Sequence, residues 1–112
     1  MSEVKHPQLL LVTTTFANLA DAKLMAQALI EQHLAACVQM QEGVYSVYRW
    51  DDKICHESEI VLLAKTDASK WDEIYQFIKN NHPYDLPEII GTTPVEYDQA
   101  YGQWVQAEIS SS

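Results

Sequence analysis

Basic residues are scarce in this chain: 7 Lys and Arg stand against 16 Asp and Glu, for a net charge of −9 at pH 7. No basic cluster is available to neutralise phosphates, which argues against nucleic acid as a partner. An anionic membrane surface repels such a chain for the same reason. Long apolar runs are also missing. The longest are Leu9–Val12 and Ile60–Ala64, far short of the ~20 residues that span a bilayer. No basic segment followed by an apolar stretch opens the chain, so no signal peptide is expected. Two cysteines, Cys37 and Cys55, are too few for a disulfide framework, and a reducing, cytoplasmic setting is the expectation. Glycine is rare, and no Gly-rich phosphate loop follows the first apolar run. H-E-x-x-H, C-x-x-C and G-x-S-x-G are absent. No catalytic constellation emerges, and an enzyme is not expected.

What is present fits one domain. The chain has 112 residues, 47% of them hydrophobic, enough for a core. Leu9–Thr15 is an apolar run ending in threonines and predicts a buried strand. Asn18 predicts a helix cap, with Asp21 three residues on. Ala22, Met25, Ala26, Leu29, Ile30 and His33 then recur at helical spacing. Ala36, Val38 and Met40 alternate as in a strand; Gly43 interrupts it, and Tyr45, Val47, Tyr48 and Trp50 continue it. Asp51-Asp52 predicts a turn, and a return strand runs from Lys53 to Thr66. Ser69 followed by Asp72 resembles a capping box. Trp71, Ile74, Tyr75 and Ile78 form the next helical stripe, which Asn80-Asn81 and Pro83 terminate. Glu88–Tyr97 reads as an edge strand weakened by Gly91 and Pro94. Asp98 caps a last helix with Tyr101, Trp104, Val105 and Ile109. Residues 1–7 and 110–112 are expected to fray.

This order predicts an α+β, ferredoxin-like split βαβ arrangement with a long central hairpin and an extra C-terminal helix. The hairpin arms, roughly 14 residues each, reach ~45–50 Å. A helix over 69–81 reaches only ~20 Å. Half of the hairpin therefore lies beyond the helices, carrying Tyr45, Val47, Tyr48, Trp50 and Ile54. Such an aromatic ribbon predicts burial against other copies of the chain in a closed assembly.

His82-Pro83-Tyr84-Asp85-Leu86-Pro87-Glu88 is a stiff connector. Two prolines four residues apart fix φ and bias the residues before them away from the helical region. It holds an imidazole, a phenol and two carboxylates. His82 is the leading metal-ligand candidate; its structural alternative is to end a helix and pack beside Tyr84. Cys37 reads as a small core residue, with a ligand role as its alternative. Cys55 and Glu57 share one strand face and His56 points the other way. Lys65, behind an apolar run, is expected to pair with Glu59 or Glu88. His33 reads as a helix C-terminal dipole partner, His6 belongs to the fraying start, and Trp71 and Trp104 read as core.

Taken together, the chain resembles the CutA family of divalent-cation tolerance proteins. The resemblance rests on Leu34-Ala35-Ala36-Cys37-Val38, Ser46-Val47-Tyr48-Arg49-Trp50, Glu59, Leu62, Lys65-Thr66, His82-Pro83-Tyr84, Pro87-Glu88-Ile89-Ile90, Tyr101 and Trp104. It covers about residues 8–108. It implies a homotrimer of ferredoxin-like subunits, similar to the PII signalling proteins, and a role in tolerance of copper or another divalent metal ion. It also implies an intersubunit cleft with Trp50, Lys65, Tyr84 and Glu88 as candidate ligand-binding residues. The alternative function is a PII-like small-ligand sensor. The chain departs from the family in having Asp52 where glycine is usual in the turn. Val12-Thr13-Thr14-Thr15 lacks the cysteine of some bacterial members, and Asn81-His82 stands where those members can have paired histidines.

Overall fold

The computed structural model describes residues 7–110. Strand β1 (Leu9–Phe16) leads through Asn18 into helix α1 (Leu19–Glu31), and the Asn18 side chain accepts from the Asp21 N–H as predicted. Strands β2 (Cys37–Trp50) and β3 (Lys53–Asp67) form the long hairpin. Helix α2 (Trp71–Asn81), strand β4 (Ile90–Thr92) and helix α3 (Gln99–Ile109) follow. The sheet is antiparallel in the order β2-β3-β1-β4, the predicted split βαβ arrangement.

The even residues of β1 and β3 build the core. Leu10, Val12, Phe16, Ile60, Leu62 and Ala64 meet Ala22, Met25, Ala26 and Leu29 of α1 and Ile74 and Ile78 of α2. Helix α3 packs against the opposite face, where Leu9, Val105 and Ile109 are buried and Lys65 Nζ sits 5.7 Å from the Tyr101 ring centroid.

Four local expectations are corrected. The capping box at Ser69 does not form. Asp67 instead caps a 3-10 turn over Ala68–Lys70 by accepting from the Ser69 N–H, and α2 starts without a side-chain cap. The fourth strand shrinks to Ile90–Thr92, because Pro94 brings no N–H to a ladder. Gly91 lies there so close to Trp71 that an added Cβ would sit 3.1 Å from the indole. Trp104 is 45% exposed rather than core. His33 is no longer helical: it adopts φ 57° beyond the C-cap, and its Nδ1 meets the Glu108 carbonyl of α3 at 3.1 Å.

At the chain ends, Pro7 is buried and its carbonyl accepts from the Tyr97 hydroxyl, while the Ser110 N–H and hydroxyl both donate to the Gln106 carbonyl. The expected fraying of 1–6, with His6, and of 111–112 falls outside the described residues.

The hairpin dominates the shape. The chain extends over 57 × 27 × 22 Å with a radius of gyration of 15.4 Å, against about 13 Å for a compact domain of this size. Its tip is Asp51-Asp52, with φ of 54° and 61°, as a two-residue I′-type connection demands. A bulge between Gln41 and Val44, with Gly43 at φ 73°, shifts the register by one residue. The shift reverses which side chains of β2 face the core side. Before it, Val38 and Met40 pair with Ala64 and Leu62; after it, Tyr45, Val47 and Arg49 pair with Ser58, His56 and Ile54. The core face of the sheet thus continues past the helices as Tyr45, Val47 and Ile54, which are 67%, 56% and 62% exposed.

Candidate functional site

The other face of the hairpin arm carries Ser46, Tyr48 and Trp50, opposite Glu57, Cys55 and Lys53. The connector after α2 folds back over this face. Tyr48, Trp50, Cys55 and Glu57 then line a pocket of about 410 Å³ together with Ala17, Tyr84, Asp85 and Leu86. Two phenol–carboxylate bonds shape its wall. Tyr48 donates to Glu57 at 2.8 Å, and Tyr84 donates to Glu59 at 3.2 Å. Both phenols are pushed up to about 12, Tyr48 chiefly by its bond to Glu57 and Tyr84 chiefly by burial. They remain protonated donors at neutral pH.

His82 fixes the connector. It ends α2 as the C-cap residue, and its ring stacks on Phe16 at 4.4 Å between centroids. Nε2 lies 2.8 Å from the Thr15 carbonyl, and Nδ1 accepts the Tyr84 N–H at 3.0 Å. This pairing requires the neutral Nε2–H tautomer. Burial lowers the His82 pKa below its ordinary value, against the raising effects of the Thr15 bond and Asp21.

The sequence candidates therefore separate. Trp50 and Tyr84 line one pocket. Lys65 is elsewhere: it pairs in register with Leu11 and Cys37 and lies over Tyr101. Its expected ion pair with Glu59 or Glu88 does not form, because Glu59 is taken by Tyr84 and Glu88 stays exposed. Within one chain, Lys65 and Glu88 do not join Trp50 and Tyr84. Cys37 is half-buried on the sheet face away from α1 and α2, beside Lys65, whose positive charge disfavours a cation there. His82 fits a metal poorly, since neither ring nitrogen keeps a free lone pair. No group of three or more His, Cys, Asp or Glu among the described residues is arranged to hold a metal ion. Among the described residues, the imidazoles that keep an unengaged nitrogen are His33 and His56, each bonded through Nδ1 alone, to the Glu108 carbonyl and the Tyr45 hydroxyl. Sequence reasoning missed Tyr48, Asp85 and Leu86 as pocket residues. Alternation along β2 does place Tyr48 with Trp50, but only the fold brings the connector above them.

This arrangement matches known proteins closely. The family model described as CutA1 divalent ion tolerance protein matches residues 10–108. The chain belongs to the CutA1 family. A divalent-cation tolerance protein CutA from Thermus thermophilus is 35% identical over 85 residues, 76% of this chain and 82% of that protein. The crystal structure of CutA1 from Ehrlichia chaffeensis superposes with a TM-score of 0.90 at 29% identity, covering 96% of this chain and all of the other. The structure of the periplasmic divalent cation tolerance protein CutA from Archaeoglobus fulgidus gives a TM-score of 0.87 at 25% identity, over 91% and 99% of the two chains. No helix among the described residues of this chain is long and apolar enough to cross a membrane.

Proposed function

We propose that this chain is a non-enzymatic homotrimer that serves tolerance of divalent metal ions, copper among them, in the cytoplasm. The observation that carries the assembly is the uncovered continuation of the core face along the hairpin arm. Tyr45, Val47 and Ile54 expose apolar surface on that face, beside Arg49, His56 and Ser58, that a two-stranded ribbon cannot stabilise alone in water. Other copies of the same chain supply the missing cover, and closed symmetry lets each copy give and receive one arm. Family membership supports three copies and the tolerance role. The two free thiols, Cys37 and Cys55, suit a reducing compartment.

Metal association in this reading is weak and adaptable. A tight site needs about four preorganised ligands, whereas His33 offers a single imidazole nitrogen on the surface of a strongly acidic chain. Copper tolerance of cells deleted for this protein tests the role. Complementation by wild type, and its loss in a variant that cannot assemble, is the expected result. Unaltered copper sensitivity on deletion removes the reading.

A second reading, a small-ligand sensor resembling the PII proteins, is favoured by the pocket shared by Trp50 and Tyr84. Its size lies within the ~300–1,000 Å³ usual for small-molecule sites.

A further inference from the structure

The pocket under the connector has a definite chemical character. Tyr48, Trp50 and Tyr84 supply aromatic surface, Glu57 and Asp85 supply negative charge, and no Lys, Arg or His lines it. Lys53 stands opposite Trp50 in the hairpin but is not part of the lining. An anion entering this space meets two carboxylates and no counter-charge. A metal ion meets too few ligands, because no three metal-binding side chains converge among the described residues. A large, weakly hydrated organic cation suits both wall types. Its charge is attracted by the ring faces and by the carboxylates, and its alkyl groups find apolar contact with Ala17 and Leu86.

We propose that this pocket binds a small alkylammonium cation, held against the rings of Tyr48, Trp50 and Tyr84 and facing Glu57 and Asp85. The proposal rests on the sensor reading and gives it a ligand class. The walls are set before any ligand arrives. Each phenol donates its proton to a carboxylate, Tyr48 to Glu57 Oε1 and Tyr84 to Glu59 Oε2, which fixes both side chains by their hydroxyls and leaves Glu57 Oε2 without a hydrogen bond among the described residues. Trp50 is 55% exposed, and its indole has no ring or hydrogen-bond partner among the described residues, so a guest can reach its face. The hairpin has a separate surface for assembly, because Tyr45, Val47 and Ile54 lie on the opposite side of the ribbon. Ligand binding and self-association therefore need not compete for the same side chains.

Tetramethylammonium chloride, titrated at constant ionic strength and followed by ligand-detected NMR, tests the proposal. Sodium phosphate serves as the anionic probe. Saturable binding of the cation with Kd on the order of 1 mM is expected for so small a guest. Glu57→Gln and Trp50→Ala are each expected to weaken it at least about fivefold, with Trp50→Phe retaining most of it. Sedimentation of each variant checks that assembly matches wild type. If Trp50→Ala changes assembly, Glu57→Gln decides. Saturable cation binding unchanged in Glu57→Gln and Trp50→Ala places the ligand elsewhere and overturns the proposal. Binding of phosphate without binding of the cation overturns the ligand class while sparing the sensor reading. Saturation by neither probe removes both.

Discussion

His82 and Tyr84 hold each other in place: the Tyr84 N–H donates to His82 Nδ1 at 3.0 Å, and the two rings lie 4.8 Å apart. With Nε2–H donating to the Thr15 carbonyl, the imidazole ties the connector to β1 beyond the point where β4 stops, opposite Thr13. A positive His82 cannot accept from Tyr84. The neutral ring is therefore what positions the Tyr84 side of the pocket.

Acid should loosen this tie. Because burial lowers the folded-state pKa of His82 below its ordinary value, the unfolded chain takes up the proton first as pH falls. The contribution of His82 to stability is complete above about 6.5 and is lost progressively below it, down to the folded-state pKa. Urea unfolding across pH 7.5 to 5 is expected to show this slope, and His82→Gln is expected to flatten it. An equal slope in His82→Gln would assign the effect to other groups.

Metal titration should discriminate among the histidines. Copper(II) isotherms of wild type and His82→Ala are expected to coincide at pH 7.5, once both proteins are shown to be folded. His33→Ala is expected to lose part of the weak binding, since the exposed His33 keeps Nε2 unengaged. Calorimetry decides, and a loss confined to His82→Ala would return the ligand role to that residue.

Charge placed on the uncovered face should break the assembly. Val47→Asp buries a carboxylate against a partner copy, at a cost of several kcal/mol that Arg49 and His56 on the same face offset only in part. Light scattering at low micromolar concentration should show wild type as a trimer and Val47→Asp as smaller species. A wild type that is a stable monomer would show that the apolar arm has another purpose.

Asp52→Gly should stabilise the protein by about 1 kcal/mol. Asp52 sits at φ 61°, where an L side chain costs roughly 1–2 kcal/mol and glycine little. The greater freedom of glycine in the unfolded chain offsets part of that gain. Thermal unfolding provides the measurement, and a lower melting temperature would contradict the strain argument.

Gly102→Ala should destabilise, although alanine is the better helix former by ~1 kcal/mol. Its Cβ would lie 2.6 Å from Tyr97 Cε2, and Tyr97 cannot swing away without releasing Pro7. Overpacking of this kind costs typically ~1–3 kcal/mol, so the net loss is expected to be about 1 kcal/mol in chemical denaturation. A gain would mean that the ring adjusts freely.

Much of the fold was legible because its signals are local. Asn18 and Asp98 cap α1 and α3 as their side chains predict. The alternation of Ile60, Leu62 and Ala64 and the helical spacing of Ile74 and Ile78 both report burial faithfully, because strands and helices repeat with fixed periods. The over-long hairpin follows from counting residues. The α2 start was misread, because Ser69 and Asp67 compete for the same turn and only the position of β3 settles which caps it.

The site was legible in part. The sequence alone determined that Pro83 and Pro87 stiffen the connector, and that Cys55 and Glu57 share a strand face. Only the tertiary structure decided that the connector lies over that face, that His82 spends both nitrogens on backbone groups, and that Lys65 lies over the Tyr101 ring of α3. Apart from the His82–Tyr84 bond, those relations join residues far apart in the chain. They depend on packing and on one bulge at Gly43, where a single extra residue decides which side chains continue the core face and which line the pocket.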